Sequence, residues 1–231
     1  PTLGLRHDRF TGQCAVRGPE RSTDPCESLP RVDHTSPKLG MRSHVHEHVE
    51  LRASQAEGFA LADEMAKYAL GDSRLSPNVF RQTEIGANVK LPRQRLTFDV
   101  AAYALRSTDE IAMIAPGEYV NAGSTRRTGI ELGALWAPIA PFDLSVTHGS
   151  AHSRVRANVD STLVGKRVAA VPRTMSTVTA RWRPAAGWQG TVAWRKIGDW
   201  AVDAANADTY PGYQRWDLGL SYAFPGRMPI T

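Results

Sequence analysis

Tyr119-Val-Asn-Ala-Gly-Ser-Thr-Arg-Arg-Thr-Gly-Ile-Glu-Leu-Gly-Ala-Leu-Trp136 is the stretch that decides how the chain is read. From Thr128 its side chains separate into two sets: Thr128, Ile130, Leu132, Ala134 and Trp136 against Gly129, Glu131, Gly133 and Leu135. Successive Cβ atoms of an extended chain point to opposite faces, so a period of two over this length predicts a β-strand. A short turn bounded by Pro138 and Pro141 follows, and the alternation resumes through Phe142, Leu144, Val146 and His148.

The same pattern recurs on both sides. Before the opening stretch it predicts strands over Thr2–Gln13, Ser36–Val45, Val49–Ser54, Glu84–Leu91 and Leu96–Tyr103. After it, strands are expected over Thr177–Trp182, Trp188–Arg195 and Trp216–Tyr222. Short turns at His46–His48, Pro92–Arg95, Pro138–Pro141 and Pro184–Gly187 alternate with long polar connections, notably Gly58–Arg81, Asn158–Arg173 and Asp199–Tyr213. Within Gly58–Arg81, Leu61–Leu70 has the makings of a short helix ended by Gly71. The expected fold class is all-β: about ten strands in an antiparallel up-and-down meander.

The chain has 231 residues and a hydrophobic fraction of 42%, with no run of about 18 apolar residues, so a transmembrane helix is excluded. A membrane barrel is not, because its strands are only half apolar. The net charge of +5 comes without a Lys/Arg block or an RNA-binding signature, so nucleic acid is not an expected partner. Pro1-Thr-Leu-Gly-Leu-Arg opens inside a strand pattern with no signal peptide before it, which suggests a fragment. Cys14 and Cys26 share one polar loop, which points to a loop disulfide. Closing so short a loop would restrict the unfolded chain by about 3 kcal/mol.

Alternation alone does not separate a soluble sandwich from a membrane barrel. Three features favour the barrel. Trp136, Trp182 and Trp188 all lie beside short turns, as a membrane-interface girdle requires. From Ile85 onward the apolar phase carries no charge in the middle of any strand; such a charge facing lipid would cost about 2–4 kcal/mol. Short turns at one end and long connections at the other complete the pattern.

Asn121-Ala-Gly-Ser-Thr-Arg-Arg-Thr-Gly-Ile-Glu-Leu132 resembles the mid-barrel strand of TonB-dependent outer-membrane receptors. Thr35-Ser-Pro-Lys-Leu-Gly40, Ala56-Glu-Gly-Phe59 and Glu84-Ile-Gly86 resemble their preceding strands. Val171-Pro-Arg-Thr174 and Tyr210-Pro-Gly-Tyr-Gln-Arg-Trp-Asp-Leu-Gly-Leu-Ser-Tyr222 resemble their late ones. The resemblance implies a transmembrane barrel of about 22 strands, of which residues 1–231 would supply about ten from the second half, without plug, early strands or last strands. It also implies a bacterial outer-membrane location and energy-coupled uptake of a metal chelate, foremost a ferric siderophore. The implied partners are that chelate, outer-membrane lipid, and an inner-membrane energy-coupling complex acting through the plug. A porin-like or truncated barrel and a soluble binding sheet are the alternatives.

Tyr119, Asn121, Arg126 and Arg127 lie where a strand leaves a long-loop end, and Trp200 and Tyr210 lie in the Asp199–Tyr213 loop. Arginine and aromatic side chains there suit an anionic, catechol- or carboxylate-bearing chelate. The competing reading is strand-end contact with lipid phosphate or solvent. His44, His46 and His48 with Glu47 and Glu50 are metal-ligand types, but their place at a short turn reads as solvated turn chemistry, and no metal is assigned. No Gly-x-Ser-x-Gly elbow, His-Glu-x-x-His or phosphate loop occurs, so neither an enzyme nor a cofactor is expected.

Overall fold

The structure, a computed structural model, describes residues 1–10, 32–61, 75–115, 118–184 and 187–223. Its strands are β1 (Thr2–Phe10), β2 (Val32–His46), β3 (Val49–Ala60), β4 (Asn78–Leu91), β5 (Leu96–Ala115) and β6 (Glu118–Trp136). They continue with β7 (Phe142–Asn158), β8 (Thr174–Trp182), β9 (Trp188–Ile197), the short pair β10 (Trp200–Ala201) and β11 (Thr209–Tyr210), and β12 (Tyr213–Tyr222). Ten of them form one antiparallel sheet in chain order, β1 through β9 and then β12; β10 and β11 pair separately. The sheet is open, with β1 and β12 at its edges.

The register carries the alternation intact from strand to strand. Ile85 lies opposite Ala102, Ala102 opposite Ile130, and Val100 opposite Leu132. Further on, Val146 meets Val178, Val178 meets Trp194 and Val192 meets Leu218. One face is therefore apolar across the whole sheet, and it is bare: Leu5 is 75% exposed, Ile85 60% and Leu218 80%. Among the described residues the buried apolar side chains are alanines, Ala101, Ala122, Ala193 and Ala201, with no large side chain fully enclosed. A soluble sandwich would cover such a face with a second layer. Among the described residues no such layer covers it.

The apolar face carries aromatic rings at two levels. Trp188 meets Tyr222 at 4.9 Å beside a short turn, and Trp194 meets Trp216 at 6.5 Å six residues further up the strands. Six residues span about 20 Å at about 3.3 Å each, close to the height of an outer-membrane apolar band. The row that includes Trp194 runs through Val178, Val146, Ala134, Phe98 and Val89 to Val49, the first residue of β3. A row at the upper belt on β9 thus reaches the lower turn on β3, so the strands slope by about 30°.

Several strands outrun the sequence pattern. β4 starts at Asn78 rather than Glu84, β5 continues past Tyr103 to Ala115, and β7 past His148 to Asn158. The alternation fades there, but the hydrogen-bond ladder to the neighbouring strand persists. β5 ends at Ala115 and β6 begins at Glu118, so Tyr119 sits at the tip of a long hairpin and not at the end of a long loop. The Asp199–Tyr213 connection holds the β10–β11 pair. The helix expected over Leu61–Leu70 lies, apart from Leu61, outside the described residues, as do Cys14 and Cys26.

Candidate functional site

The polar face is built of charge pairs on neighbouring strands. Arg52 of β3 donates two hydrogen bonds of 2.8 Å to the Asp99 carboxylate and one of 3.3 Å to Glu84, while Asn88 donates to Asp99 at 3.3 Å. Gly86 lies directly opposite Arg52 and leaves room for the guanidinium. Near the short-turn end, buried Asp143 accepts from Arg181 and Arg183. These groups satisfy one another and form a wall rather than a ligand site.

Toward the long-connection end the balance changes. Tyr103 folds over Gly129, where a Cβ would come within 2.6 Å of the Tyr103 hydroxyl oxygen. Two residues away on the same face stands Arg127, whose Nε is buried without a hydrogen-bond partner among the described residues. An open cleft of about 710 Å³ crosses β5, β6 and β7 to the connection after β7; its lining includes Tyr103, Gly129, His152, Arg154, Arg167 and Arg173. No carboxylate lines it. Arg167 and Arg173 share one outside partner, Asp199, at 2.9 and 3.5 Å. The lining keeps a positive balance, which favours an anionic guest.

The two long connections beside this cleft are tied into one unit. Arg167 N–H donates to Asn206 Oδ1 at 2.7 Å, and Asn206 Nδ2 donates back to the Arg167 carbonyl at 3.0 Å. Ala170 N–H donates to the Ala201 carbonyl and Arg173 N–H to the Asp199 carbonyl. Asp203 closes the β10–β11 turn by accepting from the N–H groups of Asp208 and Ala207, which hold its carboxyl below the usual carboxylate range. Asp160 is lowered likewise, by the Thr162 hydroxyl and then its N–H.

The residues singled out from sequence are divided by this geometry. Trp200 and Tyr210 come together as a stacked pair at 4.4 Å. Arg126 and Arg127, being consecutive in a strand, lie on opposite faces: Arg127 with Gly129 and Glu131, Arg126 in the phase of Thr128 and Ile130. Asn121 is occupied, donating to the carbonyls of Ser76 and Asp109 and accepting from Ser76 N–H. Tyr119 is opposite Met113 near the hairpin tip. Tyr103, His152, Arg154, Arg167 and Arg173 were not singled out. Tyr103 was legible only as a member of the polar phase of its own strand, and nothing local pointed to the other four.

At the short-turn end His44 pairs with Glu50 at 3.2 Å and His48 with Glu47 at 3.4 Å. Among the described residues no group of three or more His, Cys, Asp or Glu side chains is placed to hold a metal.

Comparison with known proteins follows the same lines. The structure superposes on the siderophore receptor PiuA from Acinetobacter baumannii with a TM-score of 0.76 and 19% identity, over 95% of this chain and 34% of that one. BauA, the ferric preacinetobactin receptor of the same organism, gives 0.72 at 18% identity, covering 94% and 32%. The ferric citrate transporter FecA gives 0.70 at 17%, covering 87% and 32%. At these identities the likeness is one of fold, and the chain spans about a third of the length of these receptors. No curated protein sequence matches. Family and fold are those of transport receptors, which are found in the bacterial outer membrane and are not enzymes. Matched over residues 1–228 by the model described as TonB dependent receptor-like, beta-barrel, the chain belongs to the family of TonB-dependent receptor barrels.

Proposed function

We propose that these strands form part of the wall of an outer-membrane receptor that binds an anionic metal chelate, foremost a ferric siderophore, and passes it inward. The energy would come from an inner-membrane complex acting on a plug. The observation that carries this reading is the basic cleft beside the joined long connections, with Arg127 Nε unpartnered nearby and the Trp200–Tyr210 stack on the connection after β9. Guanidinium forks suit the carboxylate or catecholate oxygens of such chelates, and stacked aromatic rings suit their flat faces. Tyr119 borders the same end, whereas Asn121 is occupied by Ser76 and Asp109 and Arg126 lies on the opposite face. The disulfide between Cys14 and Cys26 belongs to the same proposal, as a staple within a long connection. Similar structures are named as a siderophore receptor, a ferric citrate transporter and a copper transporter, which supports a metal-linked cargo.

Tryptophan fluorescence of the detergent-solubilised chain, titrated with ferric catecholate, hydroxamate and carboxylate complexes, tests the proposal. Saturable quenching by at least one class is expected. Arg127→Gln should weaken it roughly tenfold, the scale of one charge-assisted hydrogen bond. Failure of every metal chelate to bind would remove the proposal.

A further inference from the structure

Two arginines of the basic cleft share one internal carboxylate. Arg167 and Arg173, on the connection after β7, both line the cleft, and both reach Asp199, which stands outside the lining on the connection after β9. Arg167 Nη1 donates to Asp199 Oδ2 at 2.9 Å, and Arg173 Nε approaches the same oxygen at 3.5 Å. The other fork nitrogen of Arg167, Nη2, donates to the Asp199 carbonyl at 3.0 Å, and Arg173 N–H donates to that carbonyl at 3.0 Å. One residue therefore engages both arginines through its side chain and again through its main chain.

The carboxylate is a poor match for what it holds. Both contacts fall on Oδ2, so neither arginine gains the two-oxygen fork in which guanidinium and carboxylate fit best. The Arg173 side chain is 59% exposed and that of Asp199 36%, which leaves the 3.5 Å contact screened by water and weak. Arg167 is largely buried, and its Nη2–carbonyl bond keeps the guanidinium aimed whether or not the carboxylate stays. The tie between the connections does not need the carboxylate either. Arg167 and Asn206 bond in both directions, and Ala170 N–H donates to the Ala201 carbonyl. The Asp199 side chain can thus swing out without the two connections parting. One negative charge between two guanidiniums also leaves a positive charge over. A guest with a single anionic group gains little beyond what Asp199 already supplies, whereas a guest with two can satisfy both arginines.

We propose that Asp199 is a resident counter-anion, a specificity-determining residue that an incoming chelate displaces from Arg167 and Arg173. The inference rests on the receptor reading above and deepens it. The preferred guest is a polycarboxylate-type chelate presenting two or more acidic groups, and an uncharged chelate gains nothing from the exchange. Between guests the Asp199 carboxylate shields the two arginines from stray single anions.

The test uses the full chain in detergent and measures two probes by equilibrium dialysis: ferric citrate, a polycarboxylate complex, and an uncharged ferric trihydroxamate. Asp199→Asn is expected to tighten ferric citrate about fivefold, the scale of one partly exposed ion pair, and to leave the trihydroxamate unchanged. Asp199→Glu, which keeps the competing charge, should stay near the parent. Asp208→Asn, the same charge change elsewhere on this connection, should stay near it as well, because salt screens the more distant charge. A merely structural tie would act with the opposite sign, weakening both probes in D199N. Hydrogen exchange checks the fold: the Ala170 and Arg173 amides should keep their protection in D199N, since both donate to carbonyls. Asp199→Ser supplies a second neutral side chain should asparagine disturb them. Affinity for ferric citrate that is equal or lower in both neutral variants overturns the inference, and leaves the receptor reading standing as long as either probe binds. Failure of every chelate to bind parent and variants alike would remove the receptor reading and the inference together.

Discussion

An alanine at Gly86 would place its methyl 2.7 Å from Cζ of Arg52 and 2.7 Å from the Val100 carbonyl oxygen. The side chain can move but the carbonyl belongs to the ladder, so the strand itself must yield. Gly86→Ala is expected to cost about 1–3 kcal/mol, the range for overpacking, and to loosen the Arg52–Asp99 pair. Urea unfolding in detergent measures the first effect. The sequence shows Gly86 only as a member of the polar phase; that it faces a guanidinium depends on a residue 34 positions earlier. Arg126 and Arg127 show the opposite case. Their separation onto two faces follows from the same count that places Thr128 and Gly129, and needs no knowledge of the neighbours. Asn121 was legible as polar material near a strand end, whereas its engagement with Ser76 arises from a connection 45 residues away.

The β10–β11 element depends on a carboxylate. Its folded pKa lies below the unfolded value, so the Asp203 bonds contribute fully at neutral pH and are lost as pH falls through that lowered value. The amides of Ala207 and Asp208 should therefore remain protected from hydrogen exchange at a pH of about 4, the ordinary Asp value, and open only below it. Opening already near pH 6 would show that Asp203 does not hold the turn. The stacking of Trp200 on Tyr210 was not legible as a pair, because no alternation marks strands of two residues each. The long hairpin of β5 and β6 was half legible. Its lower part carries the apolar–polar rhythm, and its upper part is held by the ladder alone, with register shifts beyond Ser107.

At the scale of the molecule, an apolar face without a covering layer and two unpaired edges set the behaviour of the chain in water. Without detergent or lipid it is expected to aggregate, because both features template contact with other copies. Sedimentation with and without a mild detergent measures this; a monomer stable in plain buffer would contradict the arrangement of faces. Most of this architecture was legible, since the period of two, the tryptophans beside short turns and the unequal connections all report on one antiparallel sheet with an apolar face. The cleft was not, because its lining comes from β5, β6, β7 and the connection after β7, and no local pattern announces their convergence. The slope of the strands has a mechanical consequence. A pull along the axis of such a wall acts partly along the strands, so each ladder is loaded in shear and its many hydrogen bonds share the force together instead of parting one by one. A sheet inclined in this way resists stretching, and a tug on anything seated against its polar face would move the seated part before it deformed the wall.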